Sequence, residues 1–201
     1  VLLTQLIATG KVFACACPRS EIAGQYSGAC LALNLPHNTP DTALRIITPN
    51  PARINVPDAY AGNVIVNLYE QMRHFMVRRR DGIAAYQLSS LAGDIAYNTT
   101  LIVRGADLLT STAAQLYLAQ LTGHTGFAQC SFYHHALIFD EQGNKLSKSA
   151  GSASLKAWRG AGYKPADFYI KLSKYRGLKE EATSLHQMQK AAPTSLVPEM
   201  L

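Results

Sequence analysis

The sequence predicts an α/β domain, and three observations carry that prediction. Short apolar or β-branched runs at residues 43–47, 53–56, 100–103 and 136–139 alternate with segments of helical periodicity. One of these runs, Thr100-Leu101-Ile102-Val103, leads into Arg104-Gly105-Ala106-Asp107, the pattern of a parallel core strand followed by its C-terminal loop. The third is composition: 48% hydrophobic and 16% charged residues in a chain of 201, enough for a real core. Ligands of such a domain are expected near the C-terminal ends of its strands.

Each element has its own justification. Leu2, Leu3, Leu6 and Ile7 fall at helical spacing, and Gly10 is placed to end the helix. Thr4, Gln5, Thr9, Gly10 and Lys11 interrupt this stretch and it lacks a basic start, so it is not expected to be a signal peptide. No apolar run approaches a membrane span, so no membrane partner is expected. The chain opens on Val1 and is read as starting inside a domain, as a fragment or truncated product. Residues 43–47 and 53–56 are short strands bounded by prolines. Phe75-Met76-Val77 leads through Arg78-Arg79-Arg80 into an Asp81-Gly82 turn. Residues 83–88 are apolar enough for a buried strand, and 89–97 suit a short helix. Ser111 and Thr112 are placed to cap a helix over 113–121 that stops at Gly123. Residues 136–139 read as the last strand, followed by a turn over 140–144. Beyond residue 150, Lys156, Trp158, Arg159, Tyr169, Lys171, Lys174, Tyr175 and Arg176 suit packing helices whose basic residues snorkel. Residues 182–201 read as a loosely ordered polar tail.

The net charge of +6 and pI near 9.2 favour a polyanionic partner. Two candidate sites stand out. Cys15 and Cys17 form Cys-x-Cys, a poor disulfide spacing that lets two thiolates converge on one tetrahedral metal, and Cys30 can supply a third. Tyr26 and His37 are both open as the fourth ligand, with imidazole favoured because a phenol must lose its proton to bind. The second is Gly143-Asn144-Lys145-Leu146-Ser147-Lys148-Ser149, a basic, serine-rich loop suited to polyphosphate. Lys145 and Lys148, three residues apart, place two ammonium groups that can neutralise polyphosphate charge.

Lys145-Leu146-Ser147-Lys148-Ser149 resembles the KMSKS signature of class I aminoacyl-tRNA synthetases, with Leu for Met. Two further motifs precede it in order: Arg78-Arg79-Arg80-Asp81-Gly82-Ile83-Ala84-Ala85-Tyr86-Gln87-Leu88 and Ile102-Val103-Arg104-Gly105-Ala106-Asp107-Leu108-Leu109. Together they resemble, over residues 2–150, the catalytic domain of the glutamyl-tRNA synthetase group. The Cys15, Cys17, Tyr26, Cys30 pattern is similar to that of the glutamyl-queuosine tRNA(Asp) synthetase branch.

The resemblance implies a Rossmann-like class I catalytic domain, of which this chain holds the C-terminal half, with a small zinc-binding subdomain. It implies boundaries at 1–60 (zinc-binding subdomain and connection), 61–150 (catalytic half with the lysine loop) and 151–201 (helical segment and tail). Cys15, Cys17, Tyr26 and Cys30 would hold a structural Zn2+, Tyr26 now taking precedence over His37; Tyr86 and Arg104 would contact glutamate; residues 145–149 would bind ATP with Mg2+, Lys148 neutralising the leaving pyrophosphate and Lys145 assisting or shaping the loop. The activity implied is ATP-dependent activation of glutamate and its transfer to the queuosine base of tRNA(Asp), by a cytoplasmic protein that is a monomer when full-length. A guanidinium at a strand end suits a carboxylate, and a phenol can add a further bond. Three departures are visible: the chain holds no HIGH-like motif, Gly93-Asp94 stands where two acids are usual, and Ala114 replaces a frequent basic residue. A truncated piece of a glutamyl-tRNA synthetase, and a non-catalytic remnant binding tRNA or zinc, are the alternatives.

Overall fold

The computed structural model describes residues 1–18, 22, 26, 28–137, 139 and 154–191. Two compact units divide the chain, Val1–Ala136 and Leu137–Leu201.

In the first unit, helix α1 (Leu2–Ala8) buries Leu6 and is followed by strand β1 (Val12–Cys15). β1 pairs antiparallel with β2 (Ala43–Ile46), which pairs in turn with β5 (Met76–Arg78). The second sheet has the order β4-β3-β7-β6. Its hairpin, β3 (Arg53–Asp58) and β4 (Gly62–Asn67), is antiparallel over six residue pairs, whereas β7 (Ser131–His135) runs parallel to both β3 and β6 (Leu101–Gly105). The sheet is therefore mixed. Pro57 has no N–H to donate, and β3 meets β7 at one pair, Asp58 with Phe132.

Helices α2 (Leu68–Met72), α3 (Tyr86–Ala96) and α4 (Leu109–Leu121) complete this unit. α4 packs against β3, α2 and α3 and is buried along Thr112–Ala119, so its apolar residues are not confined to one stripe. Leu6, Leu44, Ile46, Val56, Leu68, Leu91, Leu118 and Phe132 are fully buried in one continuous core. A smaller cluster holds Phe13, Cys15, Tyr26 and Cys30.

Several sequence expectations need correction. Residues 83–88 are not a strand: Ile83 is 57% exposed, Ala84 makes a lone bridge to Arg78, and α3 begins at Tyr86. Leu88, Leu91 and Ile95 repeat at three- and four-residue intervals, a helical period that starts inside the apolar run. Strand β6 is parallel as expected but lies at the edge of its sheet, with Leu101 44% and Val103 59% exposed. Ser111 and Thr112 sit inside α4 rather than capping it; the Thr112 hydroxyl lies 3.3 Å from the Leu108 carbonyl one turn back. Among the described residues a strand that the sequence pattern did not indicate is Ser131–His135, where Phe132 and His134 point inward in period two; residue 138 of the expected strand over 136–139 lies outside the described residues.

In the second unit, α5 (Leu155–Gly160) is capped by Ser154, whose hydroxyl accepts the Ala157 amide at 3.1 Å. α6 (Pro165–Tyr175) opens on Pro165, and the Lys164 amide donates to Asp167 at 2.7 Å. Trp158 carries the Tyr163 ring at 4.9 Å and the Lys171 ammonium at 5.0 Å, so Lys171 covers an aromatic face. The expected loose tail is corrected as far as residue 191. Ala182 is buried with its amide on the Ser173 hydroxyl at 2.9 Å, and α7 (Leu185–Ala191) brings Met188 to the same hydroxyl. Residues 192–201 lie outside the described residues.

Candidate functional site

The first site is built where β1 ends. Cys15 is the last residue of β1, Cys17 follows it, and Cys30 returns at the start of a helical turn over Leu31–Leu33. Their three sulfurs lie within 4.8 Å of one another, and Cys17 and Cys30 Sγ are 3.2 Å apart. Thiolates bonded at about 2.3 Å to one tetrahedral zinc would stand about 3.8 Å apart, so the spacing fits such an ion with small adjustments. Tyr26 is buried against this cluster, and its oxygen accepts the Cys30 amide at 2.9 Å. His37 is elsewhere: its Nε2 bonds the Val12 carbonyl at 2.9 Å.

The thiols are electrostatically linked. A hydrogen bond to Cys30, with burial and Cys15 adding to it, pushes Cys17 up to about 11. Burial also pushes Cys30 up, but bonds from Cys17, Tyr26 and the amides of Ala16 and Cys17 outweigh it and bring Cys30 to about 7. Burial, reinforced by Cys15, raises the Tyr26 hydroxyl well above the ordinary phenol range.

Residues that the sequence reading passed over frame this cluster. Arg45, buried on β2, lies over the Tyr26 ring at 4.2 Å and donates to the His74 carbonyl at 2.9 Å. His74 takes the Thr48 amide on Nδ1 at 3.1 Å and meets Phe13 and Tyr69 edge-on. Burial, then Arg45 and Arg73, hold His74 below the usual histidine range. Arg80 donates to the carbonyls of Ala16 and Cys17, tying the arginine run to the cysteine loop. Arg78 bonds the Thr42 carbonyl, and Arg79 pairs with Asp81 at 2.6 Å on the surface.

The second site lies where α3 and α4 meet β6. Tyr86, the first residue of α3, is 48% exposed and lines a cavity of about 680 Å³ together with Arg45, Gln71, Met72, Phe75 and Met76. A neighbouring cavity of about 750 Å³ shares Ile22, Arg45, Met76 and Arg79 with it and reaches Cys15 and Cys17. Arg104 lines neither cavity. Its side chain, only 9% exposed, donates from Nη1 to Thr112 at 3.1 Å and Gln115 at 2.5 Å, and from Nη2 to Ser90 at 3.3 Å and Asp94 at 3.2 Å. Ser90 stands one helical turn beyond Tyr86 on α3, so the two residues are brought to the same helix face through Ser90. All four Nη hydrogens already have protein acceptors. The contact to Asp94 is an ion pair.

Behind Arg104 is a buried polar chain that no sequence motif indicated. Asp58, at the end of β3, accepts the amides of Tyr60 and Ala61 on Oδ1 and both the amide and Nδ1 of His134 on Oδ2, the last at 2.6 Å. Burial opposes the charge on Asp58, but these four donors outweigh it and hold the carboxyl below its usual range. His134 Nε2 lies 2.9 Å from Thr112 Oγ1, the atom that also receives Arg104. The remaining predicted residues, Lys145, Leu146, Ser147, Lys148 and Ser149, lie outside the described residues.

Comparison with known proteins bears on this arrangement. Residues 1–196 match the sequence model of a family described as tRNA synthetases class I (E and Q), catalytic domain. A glutamyl-Q tRNA(Asp) synthetase from Pseudomonas paraeruginosa is 37% identical over 163 residues, 80% of this chain and 54% of that protein. One from Xanthomonas oryzae pv. oryzae is 35% identical over 175 residues, 81% of this chain and 56% of its own length. The chain spans about half the length of the curated relatives it matches. The crystal structure of glutamate-tRNA synthetase from Elizabethkingia anophelis superposes with a TM-score of 0.72 at 20% identity, over 95% of this chain and 47% of that one, a likeness of fold. The family match over nearly the whole chain, joined to this mixed sheet and its covering helices, has one consequence: the chain belongs to the class I tRNA synthetases of the E and Q group.

Proposed function

We propose that this chain is the zinc-binding subdomain and C-terminal catalytic half of a glutamyl-queuosine tRNA(Asp) synthetase, which activates glutamate with ATP and Mg2+ and transfers it to the queuosine base of tRNA(Asp). The observation that carries the reading is the convergence of Cys15, Cys17 and Cys30 beside Tyr26, in a chain whose relatives bear that name. Residues 1–60 would form the zinc subdomain with its connection, 61–150 the catalytic half and 151–201 a helical appendage.

Zinc would be held by the three thiolates and the Tyr26 phenolate and would fix the cysteine loop, with no part in the reaction. The Cys30 amide already donates to the Tyr26 oxygen, a bond that would favour the phenolate once a cation is present. Arg104 would meet a substrate carboxylate along its Nη2 edge, where the contacts to Ser90 and Asp94 are the longer ones and can be exchanged. Tyr86 would supply a hydroxyl from the cavity side. Lys148, assisted by Lys145, would neutralise the leaving pyrophosphate, the rest of 145–149 supplying hydroxyl and backbone donors. No described helix is long and apolar enough to cross a membrane.

The test is glutamylation by the protein expressed from its natural reading frame. Queuosine-containing tRNA(Asp) should accept glutamate, and the same tRNA carrying guanine should not. Equal charging of tRNA(Glu) would assign the chain to a glutamyl-tRNA synthetase instead.

A further inference from the structure

The buried chain behind Arg104 joins residues from four different elements. Asp58 comes from β3, His134 from β7, Thr112 from α4 and Arg104 from β6. Each link is within hydrogen-bond distance: 2.6 Å from Asp58 Oδ2 to His134 Nδ1, 2.9 Å from Nε2 to Thr112 Oγ1, and 3.1 Å from Oγ1 to Arg104 Nη1. Asp58, Thr112 and His134 are all buried, so none of the links competes with bulk water.

The proton positions follow from the acceptors. An ionised Asp58 can only accept, so His134 carries its proton on Nδ1. On the neutral ring Nε2 is then a bare acceptor and takes the Thr112 hydroxyl proton. That turns the hydroxyl away from its alternative acceptor, the Leu108 carbonyl at 3.3 Å, and leaves the oxygen lone pairs to Arg104. The guanidinium consequently has two unlike edges. Nη1 is tied to Thr112 and to Gln115 at 2.5 Å, whereas Nη2 makes the looser contacts to Ser90 and Asp94. Gln115 turns its carbonyl to Arg104, and its buried Nε2 has no hydrogen-bond partner among the described residues.

We propose that Asp58, His134 and Thr112 are positioning residues for Arg104: they anchor its Nη1 edge so that Nη2 is presented, in one orientation, to the carboxylate of the amino-acid substrate. The second half of this statement rests on the reading of Arg104 as a glutamate contact; the anchoring itself does not.

Two measurements on the protein expressed from its natural reading frame separate them. Nitrogen NMR should find His134 in the Nδ1–H form and the Arg104 Nη–H signals resolved by slow rotation. Thr112→Val should merge those signals and Thr112→Ser should keep them. Asp58→Asn should move the His134 proton to Nε2; if that variant fails to fold, the Thr112 pair still decides. Unchanged Arg104 signals in Thr112→Val, or His134 protonated on Nε2 in the parent chain, would overturn the anchoring.

Titration with glutamate supplies the second arm. Thr112→Val should weaken glutamate binding about tenfold, the loss of one charge-assisted hydrogen bond, while Thr112→Ser stays within about twofold. Arg104→Lys is the control for the underlying reading. If it leaves glutamate binding unchanged, or the parent chain binds none, the substrate role of Arg104 fails and the anchoring is judged on the NMR signals alone. If Arg104→Lys abolishes binding and Thr112→Val does not alter it, the substrate role stands and the positioning proposal falls.

Discussion

Replacing Gly28 with alanine should damage both the fold and the thiol cluster, by an amount that can be separated into two parts. Gly28 has φ +94°, a backbone conformation in which an L side chain is strained. A Cβ there would also stand 3.0 Å from His74 Cδ2 and 3.2 Å from Nε2. The His74 ring cannot yield freely, since the Thr48 amide holds its Nδ1 and Phe13 and Tyr69 pack against it. Gly82 provides the comparison: its φ is +83°, and a Cβ there meets nothing within 4 Å. Gly82→Ala should therefore cost about 1–2 kcal/mol of backbone strain. Gly28→Ala should add an overpacking term of about 1–3 kcal/mol, for a total of about 2–5 kcal/mol. Because Gly28 lies two residues from both Tyr26 and Cys30, relief of the clash by backbone movement would displace those side chains. Urea unfolding measures the first effect, and bound zinc per chain after dialysis measures the second. Equal losses in Gly28→Ala and Gly82→Ala would refute the argument that His74 is immobile and closely packed.

Much of the architecture was legible in the sequence because apolar periodicity and turn residues reported it directly. Helix α1, strand β2, the Asp81-Gly82 turn and the helix ending before Gly123 stand where the pattern put them. The misplacements share a cause: the decisive feature was a tertiary pairing. Ile83 to Leu88 is apolar enough for a strand, but Leu88, with Leu91 beyond it, serves a helix that packs on α4. Strand β7 was passed over because Ser131, His134 and His135 look polar; His134 can be buried only because Asp58, far away in the chain, receives its proton. Leu101 and Val103 promised a central strand, yet nothing in a single strand's sequence distinguishes an edge from a centre.

The candidate sites divide in the same way. Cys15, Cys17 and Cys30 were visible through their local spacing, and the fold brings the three sulfurs together, whereas Tyr26 took precedence over His37 only through the family resemblance. Arg104 was visible only through its motif, and its actual partners Ser90, Asp94, Thr112 and Gln115 come from two helices with no common pattern. Arg45 was invisible because a buried arginine inside an apolar strand resembles a sequence irregularity until the Tyr26 ring beneath it is seen. The roles within the triple arginine were equally hidden: Arg78 and Arg80 bond backbone carbonyls, and Arg80 holds the cysteine loop.

Further outcomes follow from the same geometry. Purified protein should carry one zinc per chain by metal analysis; Cys30→Ser should lose it and His37→Ala should keep it, because His37 is committed to the Val12 carbonyl. The opposite order would return the fourth ligand position to His37. Phe132→Ala should lower stability by about 3–5 kcal/mol in urea unfolding, since the ring is fully buried against Phe127 beneath the parallel pair β6–β7. A loss under about 1 kcal/mol would mean that the site collapses around the cavity. Acid should act through Asp58. Its folded-state value lies below that of the unfolded carboxyl, so the folded chain binds fewer protons over that interval and stability rises with pH across it. The contribution is complete above the unfolded value of about 3.9 and is lost as pH falls through the folded value. Asp58→Asn should therefore be less stable at neutral pH, because an amide cannot accept from all four donors, and should show a shallower fall in melting temperature below about pH 4. If the two proteins lose stability in parallel through the acid range, the carboxylate of Asp58 is not what those four donors recognise.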